Sequence, residues 1–292
     1  MMAVLVGTTD GLWSLPARAQ KFAGERIDAI AAGWTVSDGA LVRRGDQVVG
    51  LRVPHRINWI LPVAEAVLLG TAEARLYRLD FATGRFARDG RFDRAPGRDE
   101  WYTPWGGPPD VRSIDRGPDG IVYVNVHVGG VVRSTPADPT WQDTMDIDAD
   151  VHQVVAHPEI PGTALAATAR GLAVTRDGGS NWRFHRKGLH GDYCRAVAVA
   201  DDRVFVSVAT SFAGGNAAVY RTDLAGSSFT RCSDGLPRWF SSNVNTGCLA
   251  VSGGLAVIGD ANGVVYRSDD GGGTWAVLAD GLPEVTCVGW GS

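Results

Sequence analysis

The chain has 292 residues, enough to bury a large core, and its 45% hydrophobic content with 38 glycines suits a globular fold rich in tight turns. Its 28 Lys and Arg against 32 Asp and Glu leave a formal charge of −4, which removes the electrostatic reason to expect a nucleic-acid partner. No apolar run of about 18 residues occurs, so no membrane span is expected. The opening Met-Met-Ala-Val-Leu-Val-Gly lacks a basic region and a long apolar core, so it reads as a strand rather than a secretion signal, and a cytoplasmic location is expected.

In chain order, short runs of period-two alternation are bounded by Gly and Asp, the pattern of strands and turns. Residues 3–7 read as a second strand with no inner strand before it, and Leu15 and Phe22 mark the rest of that unit. Residues 27–52 are short enough to be a degenerate unit, with 40–44 as a truncated repeat. Leu79 and Phe86 mark the next unit, and Ser134, Thr140 and Trp141 the one after it. The clearest units follow. Strands are predicted at 151–156, 163–168, 172–175 and 182–185, then at 194–199, 203–208, 219–221 and 229–232. The last full unit has strands at 247–252, 254–259 and 264–267, with a fourth beginning at Trp275. Residues 285–290 form an inner strand with no outer strands behind it, and beside residues 3–7 they complete one unit. The expectation is a single all-β domain over 1–292: a seven-bladed β-propeller of four-stranded antiparallel blades, closed by the C-terminal strand completing the N-terminal blade. Six blades is the alternative if 27–52 fails to form one.

A turn motif punctuates these units. Thr175-Arg-Asp177-Gly-Gly179-Ser-Asn181-Trp182 and Ser268-Asp-Asp270-Gly-Gly272-Gly-Thr274-Trp275 are complete copies, each following an apolar strand. Degenerate copies occur at 134–141, with Asp138 in place of a glycine, and at 222–229, with Leu224 in place of the aspartate. The pattern resembles the Asp-box signature of the BNR repeat family, which includes sialidases, xyloglucan-active hydrolases, sortilin-type receptors and a photosystem assembly factor. The resemblance implies that the box joins the third and fourth strands, away from the ligand face. Thr175, Asp177, Gly179, Trp182, Ser268, Asp270, Gly272 and Trp275 are then structural, and not catalytic.

On the opposite face, the loops before each inner strand and those between the second and third strands gather distant residues into one mouth. They bring Arg56, Trp59, Asp110, Arg112, His152, Asp192, Tyr193, Asn243 and Asn245 towards Asp10, Glu73, His127, Phe212 and Asp260. The ligand-binding candidates are Asp110, Arg112, His127, His152, Asp192, Tyr193, Trp105, Asn243 and Asn245. Arg112, His152 and Cys194 are read as one column of equivalent positions. The long loop 87–110 carries Trp101, Tyr102 and Trp105, read either as a plug over the channel or as a platform for flat groups. His127 and His152 are expected to face one another. A metal there would need Asp150 or Asp110 as third ligand, and without a short ligand-spacing motif no metal or other cofactor is called. Cys194, Cys248 and Cys287 recur at matching places and read as buried thiols.

Two functions fit. The preferred one is a non-catalytic propeller that binds a small polar ligand, such as a carbohydrate, or a protein partner at the decorated face. The alternative is a glycoside hydrolase of sialidase-like or polysaccharide-active type, for which Asp110, Asp150, Asp192, Glu73, Asp260 and Tyr193 are the available groups, with Arg56, Arg112, Arg195 and Arg238 as carboxylate holders. The sialidases' early Arg-Ile-Pro is imitated only by Arg52-Val53-Pro54. Nothing in the sequence bears on oligomeric state.

Overall fold

In the structure, a computed structural model describing residues 2–291, the strands form seven four-stranded antiparallel sheets arranged as the blades of one propeller. The inner strands, from blade 1 to blade 7, are Val285–Trp290, Ile27–Ala31, Ile57–Val63, Val111–Arg116, Val151–Ala156, Tyr193–Ala200 and Leu249–Ser252. Each touches its two neighbours, so the ring closes. Residues 27–49 make a complete blade in spite of their brevity, with strands Ile27–Ala31, Trp34–Ser37, Leu41–Arg44 and Gln47–Val49. The six-bladed alternative is thereby removed. The blade survives because its loops are trimmed while Ile27, Val36 and Val42 still reach the core. Among the described residues no helix is long and apolar enough to cross a membrane.

Closure follows the expected pairing. Val285–Trp290 runs antiparallel to Val4–Thr8, with Val288 opposite Val6 and Cys287 opposite Gly7. Gly7 has no room for a side chain, since a Cβ there would lie 2.5 Å from the Cys287 sulfur. Val4, Val6, Val285 and Val288 are all buried by this seam.

The core lies between blades. Phe205 of blade 6 meets Trp275 of blade 7 edge-to-face at 6.1 Å. The aspartate-centred turns at 175–182 and 268–275 carry this docking. Gly272 sits at φ 82 with Phe205 so close that a Cβ would come within 2.4 Å of its ring. Arg221 donates to the Gly271 carbonyl at 3.1 Å. Arg133 of blade 4 reaches the Gly178 carbonyl of blade 5 in the same manner. Within each box the aspartate holds the turn. Asp270 accepts from the backbone N–H of Gly273 and Thr274 and from the Ser268 and Thr274 hydroxyls, at 2.8–2.9 Å. Asp177 accepts from the Asn181 backbone and side-chain amides and from the Thr175 hydroxyl, at 2.8–2.9 Å. The degenerate copies keep this device from shifted positions: Asp138 accepts from Thr140, Asp223 from the Ser227 N–H, and Asp80 from Thr83.

These hydrogen bonds, led by the Asn181 side chain for Asp177 and the Thr274 backbone for Asp270, lower both carboxyls from 3.8 to about 2. A depressed carboxyl stabilises the fold fully above its unfolded value and loses that contribution as pH falls. The melting temperature is therefore expected to fall between pH 4 and 2 (about the span of the two values), and Asp270→Asn is expected to flatten that fall. An unchanged acid profile in the variant would remove Asp270 from this role.

Deleting residues 285–292 removes buried Val285, Cys287 and Val288 and opens the edge of blade 1. At roughly 1.5–3 kcal/mol per buried side chain the loss is on the order of 5 kcal/mol, comparable with the whole stability of a domain. Cooperative melting is expected to disappear, and a melt like that of the full chain would count against the closure.

Candidate functional site

One irregularity recurs around the ring. Six of the seven inner strands change register near their start, so that an extra residue stands opposite its neighbour strand. Such bulges bend the strand and re-aim a side chain. The residues presented are Thr286, Asp28, Asn58, Arg112, His152 and, in blade 6, Arg195 with Ala196. Thr286, Asp28, Asn58, Arg112 and Arg195 line one open cavity of about 310 Å³, together with Arg26, Arg56, Asp110, Asn245 and Glu284. Trp59 also lines this cavity and a smaller, more enclosed one formed with Leu249 and Val288. Its indole N–H donates to the Ile114 carbonyl at 2.9 Å, which fixes the ring between blades 3 and 4.

The charges in this mouth are unequally satisfied. Arg26 and Arg56 share the carboxylate of Asp28, which also accepts from the Gly39 N–H at 2.7 Å. Arg195 has only weak neutral partners, Asn245 Oδ1 and the Tyr193 hydroxyl, each at 3.3 Å. Among the described residues neither Arg112 nor Arg195 forms a salt bridge. Burial, followed by the charge of Arg195, lowers the Arg112 pKa, while Asp110 and Asp150 oppose the change. Burial raises the Asp110 carboxyl, and Arg112 opposes that rise.

Next to this cavity lies a second cluster. His152 is fully buried, and its Nδ1 lies 2.6 Å from the Cys194 carbonyl. Its ring packs 4.6 Å from Tyr193 and 5.8 Å from His127. Asp150 stands between the two histidines, 3.2 Å from His127 Nε2 and 3.5 Å from His152 Nε2. Burial opposes ionisation of Asp150, but the two histidines outweigh it and hold its pKa well below the usual range. Burial lowers His127. Trp105 lies 5.2 Å from His127 and is 68% exposed.

The predicted site residues therefore divide. Asp110, Arg112 and Asn245 line the cavity, while His127, His152, Tyr193 and Trp105 form the adjoining cluster. Asp192 is exposed and turned to Arg186 at 3.3 Å, and it lines neither. Asn243 is buried and donates to the Phe212 carbonyl at 3.0 Å, tying down the 211–216 loop. The column of Arg112, His152 and Cys194 is corrected by one residue. The bulge in blade 6 presents Arg195, whereas Cys194 is fully buried beneath it. Arg195, named from the sequence only as a carboxylate holder for the hydrolase alternative, becomes a lining residue of the mouth. Trp101 is neither plug nor platform. It is buried against Phe92 at 5.9 Å, in the core shared by blades 3 and 4. The four cysteines are free and buried, and burial raises the pKa of each.

Comparison with known proteins places the fold. No family model and no curated protein matches the chain. Among solved structures it is similar to the computationally designed Ika8 protein, with 18% identity and a TM-score of 0.64 over 100% of this chain and 88% of that one. It is similar to YCF48 bound to D1 peptide, with 15% identity and a TM-score of 0.58 over 88% and 85% of the two chains. The GH74 xyloglucanase from Xanthomonas campestris is 17% identical with a TM-score of 0.61, over 87% of this chain but 45% of that one. At these identities the likeness is one of fold alone.

Proposed function

We propose that this propeller is a binding protein whose mouth captures a small polar ligand carrying a carboxylate or similar anion, without performing chemistry on it. The observation that carries this reading is the pair Arg112 and Arg195. Two half-buried guanidinium groups share one cavity without a salt bridge, and beside Arg112 the charge of Arg195 opposes ionisation, which Asp110 offsets only in part. An anion would relieve both, and a planar carboxylate matches the donor geometry of a guanidinium. Asn58, Asn245 and Thr286 add neutral hydrogen-bonding groups around the same space, which suits a sugar acid or the carboxylate of a peptide. YCF48, a propeller of similar fold, is described as bound to a peptide, which makes a peptide terminus a reasonable second form of the same ligand. The BNR reading of the repeats rests on the two complete boxes and their internal hydrogen bonds.

The hydrolase alternative draws on one feature, the burial-raised carboxyl of Asp110, the kind of group that serves as a general acid. A screen with aryl glycosides, including a sialoside, separates the two readings, and turnover abolished by Asp110→Asn would favour the enzyme.

The binding reading is checked by calorimetry with sialic acid, glucuronate and a short peptide with a free C-terminus. Arg112→Ala is expected to weaken the best binder by roughly 10–100-fold, the span of one lost charge-assisted contact. Its melting temperature is expected to change little, because Arg112 makes no salt bridge within the fold. Affinity is expected to decline with added salt. A large loss of stability in Arg112→Ala, with no binding by the parent chain, would return Arg112 to the scaffold.

A further inference from the structure

The cluster of His127, Asp150 and His152 poses a hydrogen-bonding problem that the anion-binding mouth does not explain. His152 Nδ1 faces the Cys194 carbonyl at 2.6 Å, and a carbonyl cannot donate. The proton must therefore sit on Nδ1. In the neutral ring, Nε2 is then a bare lone pair, and it points at the Asp150 carboxylate 3.5 Å away, another acceptor. His152 Nε2 faces Asp150 Oδ2, and both His152 Nε2 and Asp150 Oδ1, the oxygen turned towards His127, are buried without a hydrogen-bond partner. Two acceptors facing one another in a buried place call for a positive charge between them.

We propose that His127, Asp150 and His152 form a three-ligand site for one divalent transition-metal ion of the zinc class. Each residue offers one ligand atom, and the three atoms lie within 4.8 Å of one another. His127 Nε2 lies 3.2 Å from Asp150 Oδ1 and His152 Nε2 lies 3.5 Å from Asp150 Oδ2, so the two imidazoles meet different oxygens of one carboxylate, a group that can bind an ion through one oxygen or both. The hydrogen bond from His152 Nδ1 to a backbone carbonyl is the outer contact that orients a metal-bound imidazole and fixes its tautomer. Two imidazoles and a carboxylate suit zinc and its neighbours better than the all-oxygen demands of calcium or magnesium.

The backbone is shaped around these groups. His127 enters from the hairpin between the second and third strands of blade 4, where Val128 holds φ 53, a demanding conformation for a β-branched residue. Asp150 ends the short turn Ile147–Ala149 at φ 46. His152 is the bulge residue of blade 5, and unlike its equivalents it turns out of the arginine-lined cavity into this cluster. Asp150 keeps 32% of its side chain exposed, which leaves the fourth coordination position on the solvent side. The site departs from the metal-free expectation of the sequence because His127 comes from a hairpin of the neighbouring blade, and Asp150-Val151-His152 by itself is not a ligand-spacing motif. It is independent of the anion-binding reading, since neither Arg112 nor Arg195 is a ligand.

The test uses the full chain stripped of metal with a chelator. Calorimetry with zinc is expected to show one ion per chain, with a rise in melting temperature on addition. Cobalt in place of zinc is expected to give the visible absorption of a tetrahedral nitrogen–oxygen site. Asp150→Asn tolerates the left-handed backbone and removes the charged ligand. Asp150→Asn and His127→Gln are each expected to weaken zinc binding by more than about 100-fold, beyond what loss of an outer contact causes. His55→Gln, which alters the other His and carboxylate pair at Glu73, is expected to leave it unchanged. Absence of saturable binding by the parent chain would overturn the proposal and leave a protonated imidazole as the bridging charge. Binding that persists in both Asp150→Asn and His127→Gln would overturn it equally, by placing the ion elsewhere.

Discussion

Every sheet has two edges, and a ring of sheets cut from one chain has a seam where its ends meet. Here the seam lies inside a blade instead of between two. Val285–Trp290 supplies the inner strand that Val4–Thr8 lacks, so the first and last residues of the fold are held by the same ladder. Backbone hydrogen bonds and the buried valines on both strands bind the two termini together. No blade can separate from its neighbour without breaking that ladder or exposing the apolar wedge between blades. The rigidity of the mouth depends on this closure, because each lining residue belongs to a different blade.

The wedge and the mouth are built by two different local devices. Near the outer rim, the aspartate turns clamp one blade on the next by spending their carboxylate oxygens on internal N–H and O–H groups and offering backbone carbonyls to Arg133 and Arg221. At the inner rim, the bulges lift one residue per strand out of the alternating pattern and turn it towards the axis. The first device favours stability and is repetitive. The second leaves the identity of each lifted residue free to vary without cost to the blade core, and here it yields Thr, Asp, Asn, Arg, His and Arg in succession. Chemical variety on a constant frame is how a propeller acquires a site.

The electrostatics of the mouth follow from that variety. Asp28 answers Arg26 and Arg56, whereas among the described residues Arg112 and Arg195 form no salt bridge, and the two histidines of the adjoining cluster converge on Asp150. Within a few ångströms the fold therefore holds an excess of positive charge beside a group of ligating atoms. Unequal satisfaction of buried charge separates this face from the box-bearing rim, where each aspartate has its full complement of donors.

By itself the amino-acid sequence determined the strand order, the repeating blade, the aspartate-centred turns and the closure by residues 285–290, while the structure decided between six and seven blades. All of these are local or periodic: alternation over a few residues, a turn whose donors and acceptor lie four residues apart, and two unpaired strands that complete each other. It also collected Asp110, Arg112, His127, His152 and Asn245 near one mouth, because loop order around a ring is a consequence of strand order. The tertiary structure alone decided which of them point together. A bulge adds one residue, and a shift of one residue turns a side chain to the other face, so Arg195 and not Cys194 follows Arg112 and His152. The parting of Trp101 into the core from Trp105 on the surface, the turning of Asp192 towards Arg186, and the meeting of Asp150 with two histidines from different hairpins all depend on how neighbouring blades pack. No pattern along a single strand encodes the distance between two blades.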